Sequence, residues 1–145
     1  MASFNKYNIF MEDYANKVHD LFGTAGSGAD TLKVLLSNTA PSASAHAVKA
    51  DATEISAGNG YSAGGTTATN VGTRSSGTLT VAGTDIVFTA SGGTIGAFRY
   101  AILYNDTPTS PADPLIGWWD YGSSITLQDG ETFTVDFGAS LFTIV

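Results

Sequence analysis

One stretch constrains the fold of this chain more than any other: Phe98–Tyr121, FRYAILYNDTPTSPADPLIGWWDY. Two strand-like runs, Phe98–Tyr104 and Leu115–Tyr121, flank a segment that holds three of the four prolines. Successive side chains of an extended chain point to opposite faces. Phe98, Tyr100, Ile102 and Tyr104 therefore fall on one side of the first run, and Arg99, Ala101 and Leu103 on the other. Both tryptophans, Trp118 and Trp119, lie in the second run and are expected on opposite faces. One face then belongs to a core, and the other needs a second partner.

The rest of the chain repeats this short-strand grammar. Thr31–Ser37 reads as a strand with Leu32, Val34 and Leu36 on one face, and Asn38–Ala52 has no period and reads as a surface loop. Gly58-Asn59-Gly60 and Gly64-Gly65 suit turns that need positive φ. Tyr61, alone among them, is either a loop anchor or a recognition residue. Thr66–Arg74 is Thr-rich and expected to be extended. Leu79, Val81, Ile86 and Phe88 predict a hairpin turning at Ala82–Asp85, and Asp129-Gly130 predicts a second between Ile125–Leu127 and Thr132–Phe137. Seven to nine short strands with frequent turns predict an all-β protein, an antiparallel jelly-roll-like β-sandwich.

The exception is the N-terminus. Across residues 4–22, Tyr7, Phe10, Tyr14, Val18 and Leu21 recur at helical spacing, with Ser3 placed to cap the start and Gly23 to stop the end. This predicts a single helix. With the Gly-rich GTAGSGAD behind it, residues 1–30 read as a helix and flexible linker, an arm on a sandwich domain of residues 31–145.

Composition narrows the function. Charged residues are 13%, about half the roughly 25% of ordinary soluble domains. Gly, Ala, Ser and Thr fill the gap, and a surface built from them loses little side-chain entropy when covered. A net charge of −7 argues against nucleic-acid and anionic-membrane partners. There is no cysteine, so no disulfide, thiolate metal site or cysteine nucleophile. The opening MASFNKYNIFMEDYA lacks the basic start and apolar core of a secretion signal.

No catalytic constellation stands out, and the expectation is a non-enzyme without cofactor or bound metal. His19 reads as a solvated helix residue, and His46 would act as a base only with Ser42 or Ser44 held beside it. Glu54, Glu131, Asp120 and Asp136 show no glycosidase-like pairing. Asn105, Asp106 and Asp113 bracket the Pro-rich loop, where the alternatives are turn-capping and a Ca²⁺ site. The candidate interface residues are Tyr7, Phe10, Tyr14, Val18, Tyr61, Trp118 and Trp119, since aromatics concentrate where surfaces meet.

Three segments resemble small structural proteins of tailed bacteriophages. They are DTLKVLLSNTAPSASAHAVKADATEISAGNGYSAGG, GTDIVFTASGGTIGAFRYAILYNDTP and DPLIGWWDYGSSITLQDGETFTVDF, together spanning about Asp30 to Phe137. The pairing of FRYAILYND with DPLIGWWDYG is the distinctive part. The resemblance implies a virion component made in the bacterial cytoplasm, most like a head decoration (cement) protein. Such a protein forms a homotrimer on the major capsid protein and bridges capsomers. The alternative is a tail or fibre component recognising a host glycan through Tyr61, Trp118 or Trp119.

Overall fold

The computed structural model describes residues 2–145, in which strands dominate. In chain order they are β1 (Phe4–Lys6), then helix α1 (Ile9–Ala15), β2 (Gly23–Ala25), β3 (Gly28–Ala29) and β4 (Leu32–Ser37). After a one-turn 3₁₀ helix at Lys49–Asp51 come β5 (Thr66–Thr67), β6 (Val71–Ser75), β7 (Thr78–Ala82) and β8 (Ile86–Thr89). The chain ends with β9 (Ile95–Asn105), β10 (Leu115–Leu127), β11 (Thr132–Val135) and β12 (Phe142–Ile144). Among the described residues no helix is long and apolar enough to cross a membrane.

β9 and β10 are the two long strands, and they pair antiparallel with Trp118 opposite Ile102 and Trp119 opposite Ala101. They lie inside a sheet of order β1-β10-β9-β4-β5, which faces a second layer formed by β12-β7-β6-β2-β3 and the two-stranded β11-β8. The result is an all-β sandwich with one α-helix. Leu32, Val34, Leu36, Ala101, Leu103 and Ile116 of the first sheet meet Val81, Ile86, Phe88, Val135 and Phe142 of the second layer in the main core.

The first sheet is buried on its outer face too. There Leu35, Tyr100, Ile102, Tyr104 and Leu115 form a second cluster with Tyr7, Ile9, Ala52 and Trp118. The cover comes from the loop between β4 and β5, fastened by backbone hydrogen bonds such as Leu115 N–H to Ala47 O (2.9 Å) and Asn8 N–H to Ala43 O (2.9 Å). Burial on both faces explains the near-continuous apolar run of β4, which alternation alone does not require. Gly65 closes this loop at φ +72°, and a Cβ there would run into the carbonyl of Val34.

Several sequence expectations are corrected. The helix occupies only Ile9–Ala15, because Phe4–Lys6 instead satisfies its backbone groups on the edge of β10, with Phe4 opposite Trp119. Lys17 at φ +63° ends the helical path, well before Gly23. The apolar stripe does not face one surface: Tyr7 enters the outer cluster while Phe10 and Leu21 enter the main core. The segment straddles the sheet edge. Nor is there an arm within residues 2–30 of the 1–30 segment expected to form one, since β1 belongs to one layer and β2 and β3 to the other.

Both predicted hairpins are also corrected. β7 pairs with β6 and β12, whereas β8 pairs with β11, so Ala82–Asp85 crosses between sheets. The tight hairpin is β6–β7, around Ser76 (φ +48°) and Gly77 (φ +82°), a two-residue turn with both central residues left-handed. At Asp129-Gly130 the chain does reverse, with Glu131 N–H on Gln128 O at 2.9 Å. Its flanks separate, however: β10 stays with β9 while β11 joins β8. Finally, Phe98 lies in the main core and Tyr100 in the outer cluster, so the alternation of β9 breaks at Arg99.

Candidate functional site

The seven candidate interface residues separate sharply on burial. Tyr7, Phe10 and Tyr61 are 0, 1 and 3% exposed and are interior residues, of which Phe10 alone reaches the floor of a surface groove. Tyr61 anchors its loop: the hydroxyl accepts from Leu36 N–H at 3.0 Å and donates to Glu54 Oε1 at 2.7 Å. Glu54 also accepts from Gly64 N–H at 2.6 Å, and the Tyr104 hydroxyl donates to Gly64 O at 2.7 Å. Tyr14 and Val18 are half-buried. Trp118 and Trp119 are half-buried and point oppositely, as expected. Trp118 tilts against Tyr7 on the outer face at 4.6 Å, and Trp119 lies between Phe4 (5.3 Å) and Phe137 (5.4 Å).

Trp119 borders a cleft of about 300 Å³ between the β9–β10 pair and β11. Its aromatic wall runs in sequence from Phe98 to Phe133 (5.0 Å, 75°) and from Phe133 to Tyr121 (5.4 Å, 81°). These edge-to-face contacts match the quadrupoles of the rings and hold them in fixed relative orientation. Tyr121 is nonetheless 55% exposed. The β9–β10 register slips between Asp120 and Ile125, and a bulge of this kind re-aims the side chains beside it.

Arg99 also lines the cleft, and beside the same irregularity it pairs with Asp120. Arg99 Nε donates to Asp120 Oδ1 at 2.7 Å and Nη2 donates to Oδ2 at 2.9 Å, a bidentate pair. Gly122 N–H adds a third donor to Oδ1 at 2.8 Å. Arg99, and secondarily this N–H, hold the Asp120 carboxyl below the usual carboxylate range. The guanidinium also lies over the Tyr100 ring at 5.3 Å. Asp120 is therefore paired, with a base and not with a second acid. Only the register slip reveals this, because regular pairing sets Tyr100, not Arg99, opposite Asp120.

A second groove of about 490 Å³, lined by aromatic and aliphatic side chains together with Lys6, Ser140 and Thr143, lies at one open edge of the sandwich, between β1 and β12. Phe4 stacks on Phe142 (5.6 Å, 19°) and Phe10 meets Phe142 edge-on (5.4 Å, 76°) at its floor. Met11 and Ile144 form its rim. β1 and β12 are the outermost strands of their sheets, with no further strand beyond them among the described residues.

The remaining candidates resolve into structural roles. His19 is not solvated but 6% exposed, in a network with Asn105 and Asp30. His46 Nδ1 accepts from Ser42 N–H at 3.4 Å, and the Ser42 hydroxyl accepts from Ala45 N–H, a turn rather than a nucleophile and base. Around the Pro-rich loop, Asp106 pairs with Lys33 at 3.0 Å and Asn105 is spent on His19, Asp30 and Thr107. Among the described residues no three His, Asp or Glu side chains gather as a metal site. Comparison with protein families, curated proteins and solved structures gave no match to this chain.

Proposed function

We propose that this chain is a structural component of a tailed-bacteriophage virion, a head decoration protein that sits on the capsid as a homotrimer and bridges capsomers. The observation that carries the reading is the open edge groove. Phe4, Phe10, Met11, Phe142 and Ile144 form the apolar part of a concavity flanked by two outermost strands, a surface suited to a neighbouring subunit. A scarcity of charge and an abundance of small residues favour covering such a surface, because little entropy and few ionic hydration shells are lost.

The resemblance of the segments from Asp30 to Phe137 to phage structural proteins supports the same reading. We read the fold more finely as jelly-roll-like, the chain passing between layers at β1–β2, β3–β4, β5–β6, β8–β9 and β10–β11. In this role the major capsid protein is the partner, and area buried at several contacts makes capsomer separation costly under internal DNA pressure. Electron cryomicroscopy of purified particles is expected to place many copies at threefold positions of the head. A few copies on the tail, or unchanged thermal and osmotic stability after the protein is stripped from the particles, overturns the proposal.

A further inference from the structure

We propose that Asn59 is a site of spontaneous deamidation, and that the fold sets its rate by pinning the side-chain amide to the turn between β8 and β9. Seven asparagines occur in the chain, and only Asn59 is followed by glycine. The next residue supplies the nucleophile, its backbone nitrogen, and glycine leaves that atom unshielded by a side chain. Asn59 and Gly60 are the central pair of a two-residue hairpin, at φ +54° and +99°. It is closed by Gly58 N–H on Tyr61 O at 2.8 Å and Tyr61 N–H on Gly58 O at 3.1 Å. Both central residues are exposed, and among the described residues Gly60 N–H donates to no acceptor, so hydroxide reaches the proton that must leave. At Asp129-Gly130 the analogous groups are occupied: Gly130 N–H donates to Ala90 O at 2.8 Å, and the Asp129 carboxylate accepts from Gly92 N–H at 2.8 Å.

The reaction consumes only water. The deprotonated Gly60 nitrogen bonds to Asn59 Cγ, the Cγ–Nδ2 bond breaks, and ammonia leaves with the proton. Water then opens the cyclic imide at Cγ to give aspartate, or at the main-chain carbonyl to give isoaspartate, whose backbone runs through the former side chain. The fold restrains the first step. Asn59 Nδ2 donates to Thr94 O at 2.9 Å, and the amide lies against Gly93, where a Cβ would meet Nδ2, Cγ and Oδ1 at 2.7, 2.8 and 2.9 Å. The departing nitrogen is the one bound to Thr94 O, so cyclisation has to break this contact. Ser91 N–H on Asn59 O at 2.9 Å completes the grip on the β8–β9 turn. Afterwards a carboxylate cannot donate to Thr94 O, and isoaspartate lengthens the hairpin out of its register. The modification thus releases the two turns from each other, next to Tyr61, whose hydroxyl fastens the loop to Leu36 and Glu54.

This inference does not depend on the virion role and is tested on the isolated, folded protein. Incubation at pH 9 followed by peptide mapping is expected to find amide converted to acid first at Asn59, as both aspartate and isoaspartate, and more slowly at pH 6. Gly93→Ala keeps an allowed backbone, because Gly93 lies outside the left-handed region, and its methyl displaces only a side-chain amide. The variant is expected to convert about fivefold faster, the population weight of one neutral hydrogen bond. Asn59→Asp reproduces one product, and it is expected to melt a few degrees lower and to exchange the Ser91 amide faster. No conversion at Asn59, or earlier conversion at another asparagine, overturns the site. An unchanged rate in Gly93→Ala overturns the restraint by the turn. Parent-like melting and Ser91 exchange in Asn59→Asp overturn the release.

Discussion

The side-chain amide of Asn105 donates to Nδ1 of His19 at 3.0 Å, joining the end of β9 to a residue 86 positions earlier. The same nitrogen donates to Asp30 Oδ2 at 2.7 Å, which fixes the orientation of the amide, since a carboxylate only accepts. His19 Nδ1 is then an acceptor, and the imidazole is neutral with its proton on Nε2. Burial pulls its pKa down to about 4, against an opposing pull from Asp30.

The sign of the pH dependence follows. Between about 4 and the ordinary value of 6.5 the unfolded chain binds a proton that the folded chain refuses. The stability associated with neutral His19 is therefore complete above 6.5 and lost as pH falls towards 4. The full loss is about 3 kcal/mol. Urea denaturation of the parent and of His19→Gln at pH 7, 5.5 and 4.5 isolates this contribution. The variant is expected to show a shallower fall, and parallel curves would sink the assignment.

Asp13 acts in the opposite sense. It is 7% exposed, and its Oδ2 has no hydrogen-bond partner among the described residues. Burial, aided by Glu12, raises its pKa, so the folded state prefers the protonated acid and is weakened as pH rises through the carboxylate range. Asp13→Asn keeps the shape and removes the charge. Thermal melts at pH 7 are expected to favour the variant by roughly 1 kcal/mol, with the difference vanishing in acid. A less stable variant at pH 7 would show that the carboxylate is paired.

Gly65 tests the cover over the outer face of the first sheet. A methyl group there meets the Val34 carbonyl, in the backbone of a strand buried on both sides, and φ is +72°. Neither the strand nor the loop has room to yield. Gly65→Ala is expected to cost about 3 kcal/mol or more in chemical denaturation. It should also raise hydrogen exchange at Gly64, whose amide is held by Glu54 at 2.6 Å. A loss below about 1 kcal/mol would mean that the loop docks loosely.

What could be read from the sequence was local, and what could not was a matter of partners. The β9–β10 pair and the opposed tryptophans follow from period-two alternation within single strands. The reversal at Asp129-Gly130 was equally legible, but a turn encodes a change of direction and says nothing about which strands its flanks choose. The helix was overextended because Tyr7, Phe10 and Leu21 have helical spacing while serving two cores on opposite sides of a sheet edge. Arg99 and Asp120 stayed invisible as a pair because a register slip, not regular spacing, unites them. Phe133 escaped notice for a related reason: its strand pairs with β8 and reaches the cleft across the sandwich.

The edge groove yields the most direct test of assembly. Met11 stands on its rim at 40% exposure, so a charged side chain there can reach water in the free protein and leave the interior undisturbed. In an assembly whose subunits cover the groove, the same ammonium would be desolvated beside the aromatic floor of Phe10 and Phe142 and would add a second positive charge to a groove already lined by Lys6. Met11→Lys should therefore separate folding from association. Its melting temperature in the monomer is expected to stay within a few degrees of the parent. Sedimentation velocity is expected to shift the population from trimer to monomer at matched concentration, and binding to undecorated capsids should fall at least about tenfold. A variant that trimerises and decorates as the parent does would place the subunit contacts elsewhere on the sandwich and leave the groove without an assembly role.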